Sequence, residues 1–259
     1  MRHERLADYL RTDAVQRQIG TQTARRPGLP GVPTPAGLPA APVELPFPET
    51  RVSIDALLTA YLDRLRRPSR TVYVLDVSGS MRGPRIAALK SALAGLTGVN
   101  RSLTGSYCRF RSREEVVLLP FSDAPRKPAP FTIDAADPQP SRDVLRHAIE
   151  GLQVGGNTAV YDSLIAAYRR LDSATDKNRF LSIVLMTDGE SNRGRDLAAF
   201  KKFLSGRPGD AAPVPVFPIL FGEAAESQMR RIASATSGDT WDARGGDLTR
   251  AFCEVRGYQ

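Results

Sequence analysis

Lysine, histidine and cysteine are all scarce in this chain, and each shortage removes a class of function. Of 36 basic residues only Lys90, Lys127, Lys177, Lys201 and Lys202 are lysine, so the formal charge of +8 is almost entirely arginine scattered among acids. That distribution describes a solvated basic surface. No recognition helix, zinc finger or aromatic ribonucleoprotein motif accompanies it, so nucleic acid is not expected as a partner. The only histidines, His3 and His147, stand beside no motif. Histidine-based acid–base catalysis therefore lacks its groups, and zinc hydrolysis lacks its ligands. Two cysteines, Cys108 and Cys253, are too few for a disulfide scaffold. A single bridge between them and two free thiols stay equally open. No run approaches the roughly 20 apolar residues that cross a bilayer. Residues 1–18 are charged and amphipathic, without the apolar centre of a secretion signal.

What the chain does have is organised around residues 71–90, TVYVLDVSGSMRGPRIAALK. Residues 71–75 form a short β-rich apolar run, the pattern of a strand covered on both faces. At its end Asp76, Ser78 and Ser80 alternate, Gly79 frees the backbone for a tight turn, and Pro84 suits the first turn of a helix. Ligands of open α/β sheets bind outside the carboxyl ends of strands, so this junction is a candidate site. A carboxylate and two hydroxyls are hard donors suited to Mg²⁺, Mn²⁺ or Ca²⁺. Two further segments end alike. Residues 180–187 are a buried-strand run closed by Asp188 and Gly189, and the turn Gly155-Gly156-Asn157-Thr158 offers a hydroxyl where a helix opens.

Asp76-Val77-Ser78-Gly79-Ser80, Thr158 after its Gly-Gly-Asn turn, and Thr187-Asp188-Gly189 together resemble the metal-ion-dependent adhesion site of von Willebrand factor type A domains. The resemblance runs from about residue 69 to the end. It implies that Asp76, Ser78, Ser80, Thr158 and Asp188 hold a Mg²⁺, Mn²⁺ or Ca²⁺ ion. It also implies that Gly79, Asn157 and Glu190 belong to the rim, and that the ion's open position takes a Glu or Asp carboxylate from a partner protein. The domain is then a binding or adhesion module and not an enzyme. Competing structural readings make Ser78 and Ser80 caps of the next helix and Thr158 an N-cap as well as a ligand.

The rest of the chain reads as alternating strands and helices. Helices are expected over 84–96, 141–151, 159–171, 196–204, 227–236 and 247–255. Strands are expected over 115–122, 215–221 and 240–241, with a short edge strand at 131–133 and irregular chain over 97–113. The expected fold is α/β, a doubly wound and mainly parallel sheet flanked by helices, spanning residues 68–259. Residues 1–67 form an appendage: a helix over 4–19, a strap with eight prolines over 27–48, and an amphipathic helix over 53–66 with Ile54, Leu57, Leu58, Tyr61, Leu62 and Leu65 on one face. The strap's Leu29, Val32, Leu38, Val43, Leu45 and Phe47 suggest that it lies ordered against a domain. Residues 6–16, the Arg26-Pro27 turn and Glu44-Leu45-Pro46-Phe47-Pro48 are similar to the closing segment of a bacterial extracellular solute-binding domain fused ahead of a type A domain. That likeness favours the cell exterior, while the absent signal leaves the compartment open.

Two rivals to the binding module remain. A Mg²⁺-dependent phosphotransferase or hydrolase of the haloacid-dehalogenase kind needs a second acid two residues after the first, where this chain has Ser78. A scaffold whose metal site goes unused is the other.

Overall fold

The computed structural model describes residues 2–23, 25–38, 47–173, 178–208 and 214–258. The chain divides into two units, residues 1–54 and 55–259.

In the first unit, the single helix expected over 4–19 is two helices, α1 (Arg2–Leu10) and α2 (Asp13–Thr23). The break falls where the Thr12 hydroxyl donates to the Tyr9 carbonyl at 2.9 Å, satisfying a helix-end acceptor with a side chain. The described part of the strap contains no strand or helix; Val32 is buried and Phe47 exposed, while Val43 and Leu45 lie outside the described residues. Helix α3 (Arg51–Ala60) runs on into a π-helical turn, Tyr61–Leu65. Its apolar face differs from the expectation: Leu57, Leu58, Tyr61 and Leu65 are all exposed.

The second unit follows the pattern read from the sequence. Strand β1 (Ser69–Asp76) leads to α4 (Pro84–Ala94), then α5 (Leu103–Cys108), β2 (Glu115–Phe121), β3 (Ala129–Thr132), α6 (Pro138–Glu150) and α7 (Val160–Asp172). Next come β4 (Phe180–Thr187), α8 (Leu197–Ser205), β5 (Val216–Leu220), α9 (Glu226–Ala235), β6 (Trp241–Asp242) and α10 (Leu248–Gly257). The six strands stand in the order β3-β2-β1-β4-β5-β6, all parallel except the edge strand β3. Helices pack on both faces because β1 alternates. Tyr73 and Leu75 join a core with α4, α6 and α10, whereas Val72 and Val74 join one with α7, α8 and α9. Among the described residues no helix is long and apolar enough to cross a membrane.

Two boundaries depart from the expectation. Residues 97–113, expected to be irregular, contain α5, which Ser102 caps by accepting from the Gly105 N–H at 3.1 Å. Helix α6 starts three residues early because Asp137, not Ser141, is its cap and Pro138 fills the first turn. Cys108 of α5 and Cys253 of α10 form a disulfide with Cα atoms 5.1 Å apart, which decides between the two readings the sequence left open.

The amino-terminal ends of the strands are closed by ions. Glu114, 1% exposed, accepts from Arg66 Nη2 at 2.6 Å and from Arg256 Nη2 at 2.8 Å. The opposite, carboxyl ends carry the candidate site. The strand order reverses between β1 and β4, with β2 beyond one and β5 beyond the other. That switch point is where a parallel sheet opens a crevice.

Candidate metal centre

Asp76 is the last residue of β1 and Asp188 directly follows β4, so the sheet itself brings the two carboxylates to either side of the switch point. The chain leaving β1 is pinned by Val77, which is fully buried. Its N–H donates to the Phe121 carbonyl at 2.9 Å, and its carbonyl accepts from the Gly155 N–H at 2.8 Å. With Val77 turned into the core, the side chains on either side of it face the crevice. The Ser78 N–H donates to Asp76 Oδ1 at 2.8 Å, and the Thr187 hydroxyl donates to Asp76 Oδ2 at 2.6 Å. Burial pushes the Asp76 carboxyl above its ordinary range; the bonds from Ser78 and Thr187 pull it down, and the charge of Asp188 adds to the rise.

A 3₁₀ turn over Gly79–Met81 then carries Ser80 across the crevice. The Ser78 and Ser80 hydroxyl oxygens lie 3.0 Å apart, and Ser80 Oγ donates to Asp188 Oδ1 at 2.8 Å. Ser78, Ser80 and Asp188 thus form a continuous string of oxygens. Neither serine caps α4, whose N-cap is Gly83 at φ +79°.

Thr158 arrives on the Gly155–Asn157 turn, which is tied to the same loop. The Gly79 N–H donates to the Gly156 carbonyl at 2.9 Å. Gly156 has φ +87°, and a Cβ there would run into the Asp123 carboxylate, so the turn needs glycine on two counts. Asn157 donates to Asp123 Oδ1 from its backbone at 3.2 Å and from Nδ2 at 2.6 Å, which holds the Asp123 carboxyl below its ordinary value. Thr158 is 4% exposed; its N–H donates to Asn192 Oδ1 at 2.9 Å, and its carbonyl accepts from the Asn192 N–H at 3.0 Å. Among the described residues its hydroxyl has no hydrogen-bond partner. The N-cap of α7 is Ala159, so the reading of Thr158 as a cap fails. The named rim residues Gly79, Asn157 and Glu190 are all exposed.

The donor set fits a hard divalent cation: carboxylates and hydroxyls only, with Ser78 in contact with Ser80, Ser80 in contact with Asp188, and the Thr158 hydroxyl without a partner among the described residues. Two carboxylates are few for such an ion, and among the described residues no group of three or more His, Cys, Asp or Glu side chains is placed to hold a metal ion.

Sequence reasoning missed three contributors, Asp123, Asn192 and Arg85, and read a fourth, Ser191, as a solvated loop beside the rim. Asp123, two residues past β2, orients the Thr158 turn; Asn192 and Ser191 hold the Thr158 carbonyl; Arg85 donates from Nη1 to Asp188 Oδ2 at 2.6 Å. Asp123 was accessible to the rule that strand ends carry sites. Arg85 was not, since nothing local marks its reach to Asp188. A cavity of about 1300 Å³ lies elsewhere, against α5 and α10. The arginines lining it are paired: Arg66 and Arg256 with Glu114, Arg111 with Asp63, Arg250 with Glu254.

Residues 71–190 match the family model described as von Willebrand factor type A domain. Inter-alpha-trypsin inhibitor heavy chain H4 of Sus scrofa is 29% identical over 133 residues, covering 49% of this chain and 13% of that protein. The chain therefore spans only a small part of that relative. Among solved structures, a von Willebrand factor type A protein from Catenulispora acidiphila superposes with a TM-score of 0.55 at 22% identity, covering 73% of this chain and 42% of the other. Proximal thread matrix protein 1 of the mussel byssus, solved with a zinc-occupied MIDAS motif, gives 0.50 at 17% identity over 74% of this chain and 45% of its own. The family match over residues 71–190 and the strand order of the sheet liken the α/β unit of this chain to a von Willebrand factor type A domain.

Proposed function

We propose that the α/β unit is a metal-dependent protein-binding module. Asp76, Ser78, Ser80, Thr158 and Asp188 hold Mg²⁺ or a similar ion, and a Glu or Asp carboxylate of a partner protein completes the site. The observation that carries this reading is the unbroken run of oxygens from Ser78 through Ser80 to Asp188 across the switch point. A bound divalent cation would supply a positive centre that two carboxylates neutralise only in part and that therefore attracts an external anion.

The residues divide the work. Asp76 has both oxygens engaged by Ser78 and Thr187, which fixes its carboxylate and leaves each oxygen a lone pair for a bridging water. Ser78 and Ser80 can rotate their protons and turn lone pairs to the ion without moving the backbone. Thr158 brings a hydroxyl with no competing bond. The mussel protein of the same fold holds zinc, but a donor set made only of oxygen favours Mg²⁺ or Mn²⁺ here. Against the phosphotransferase reading, Val77 points into the core and Ser78 stands where a second acid would be needed.

The test is isothermal titration of Mn²⁺ and Mg²⁺ into chelator-stripped protein, with and without acetate, beside Asp76→Ala. Saturable one-site binding that requires Asp76 and tightens with acetate is the expected result. No uptake by the intact protein would leave a scaffold, and phosphoester turnover would revive the enzyme.

A further inference from the structure

Arg85 is the second residue of α4, and its guanidinium bridges two acids. Nη1 donates to Asp188 Oδ2 at 2.6 Å and Nη2 to Glu223 Oε1 at 3.2 Å. The Asp188 side chain is completely buried, that of Arg85 is 31% exposed and that of Glu223 is 85% exposed. The β5–α9 loop locks this arrangement from above. The Glu223 N–H donates to the Asp188 carbonyl at 3.1 Å, and Gly222, at φ +57°, leaves so little room that a Cβ would lie 3.3 Å from Arg85 Nε. Asp188 therefore offers only Oδ1 to the oxygen string, its other oxygen being held by a fixed positive charge.

We propose that Arg85 is a built-in counter-charge that makes cation binding and partner-carboxylate binding depend on each other. This rests on the metal-dependent reading above. Asp76 and Asp188 bring two negative charges to the crevice, and Arg85 cancels one. A divalent ion added to that set leaves a net positive site, which one external carboxylate restores to neutrality. Without Arg85, two carboxylates and a divalent ion already balance, and an incoming anion gains less. Arg85 thus weakens the ion's hold when no partner is present, and by drawing in the anion it lets partner binding offset that loss. Its half-exposed face beside the crevice lets it meet the same anion, in place of the loosely held Glu223.

The test compares wild type, Arg85→Gln and Arg85→Lys by titration of Mn²⁺ at several acetate concentrations. Glutamine keeps a donor for Asp188 Oδ2, so the fold has no new unpaired acceptor; lysine keeps the charge. Arg85→Gln should bind Mn²⁺ roughly tenfold more tightly without acetate, the order expected for removing one charge a few ångströms from a divalent ion at a wet surface. It should also show a smaller tightening by acetate, and Arg85→Lys should restore the wild-type pattern. If wild type and Arg85→Gln bind Mn²⁺ with equal affinity and equal acetate dependence, the Arg85 inference is overturned and the metal site stands. If wild type takes up no Mn²⁺ at all, both fall together.

Discussion

Neutralising Glu114 should destabilise the α/β unit severely while leaving the candidate site untouched. Glu114 is 1% exposed and serves three donors: Arg66 Nη2 at 2.6 Å on Oε1, and Arg256 Nη2 at 2.8 Å with the Arg111 N–H at 2.9 Å on Oε2. In Glu114→Gln one carboxylate oxygen becomes a donor facing an arginine, and Arg256, itself 7% exposed, loses the one negative neighbour it has in hydrogen-bond contact among the described residues. Breaking a buried pair by removing one partner costs ~3–5 kcal/mol. Two features move the expectation to the lower end. Arg256 keeps acceptors in the Cys108 carbonyl at 2.6 Å and the Arg109 carbonyl at 2.9 Å, and the Arg66 side chain is 16% exposed and reaches water. A loss of ~3 kcal/mol would lower the melting midpoint by about 6–12 °C for a domain of this size. The assay is urea and thermal unfolding of Glu114→Gln beside Arg256→Met and the double variant. The double variant should recover part of the loss, because it removes the orphaned charge. Glu114 sits at the amino-terminal ends of the strands and the candidate site at their carboxyl ends, so Mn²⁺ affinity of the folded variant should match wild type. A Glu114→Gln protein within ~1 kcal/mol of wild type would refute the reasoning, because an uncompensated buried charge cannot be that cheap.

Three other outcomes are expected. Replacing Cys108 and Cys253 with serine opens a bridge between residues 145 apart in sequence, and the urea midpoint should fall by the equivalent of ~2–4 kcal/mol; an unchanged midpoint would mean the thiols are unpaired in solution. Burial holds the Tyr73 and Tyr168 phenols above their ordinary value, so the folded chain keeps those protons longer than the unfolded one. The stability they contribute is whole below about pH 10 and falls above it by ~1.4 kcal/mol per pH unit for each phenol. Beside the wild type, Tyr168→Phe should lack one phenol from the tyrosinate absorbance that appears as the fold opens, and its alkaline loss should be flatter; a phenol missing instead from the titration of the still folded protein would refute this. Gly156→Ala, with its positive φ and its approach to Asp123, should displace the Thr158 turn and weaken Mn²⁺ binding at least tenfold, on the scale of a clash costing more than ~1.4 kcal/mol. Equal affinity would show that Thr158 is not a ligand.

The fold was largely legible because its signals are local. Residues 71–75 and 180–187 are continuous apolar runs of the kind only a doubly covered strand requires, and α7 buries Tyr161, Leu164, Ile165, Tyr168 and Leu171, the residues its periodicity picks out. Failures came where distant contacts outweigh local preference. The segment Leu103–Cys108 is rich in Thr, Gly and Ser, poor helix formers, yet it is helical. The Ser102 cap, the Tyr107 hydroxyl donating to Asp55 and the bridge to Cys253 hold it in place. Helix α3 shows the reverse. Its apolar spacing is regular, but Leu57, Leu58, Tyr61 and Leu65 are exposed, so amphipathic periodicity identified the helix without identifying what covers it.

For the candidate site the same division has a consequence for function. Asp76, Ser78 and Ser80 are legible because a two-residue alternation at a strand end is a local pattern. Asp188 and Thr158 are legible because each closes a similar local pattern. The supports of the five candidate residues are tertiary: Val77 pinned between Phe121 and Gly155, Asp123 holding Asn157, Asn192 holding Thr158. Each of these supports comes from a different strand end, so the oxygens keep their spacing only while β1, β2 and β4 stay in register. Arg85 extends that dependence to β5, because its two acids lie at the ends of β4 and β5 and its own place is set by the first turn of α4. A change of charge at the crevice is therefore felt by four strands at once, whereas a change at Glu114 acts on the opposite edge. Stability and binding should for that reason be separable by mutation in this domain, with Glu114→Gln lowering the first and Arg85→Gln altering the second.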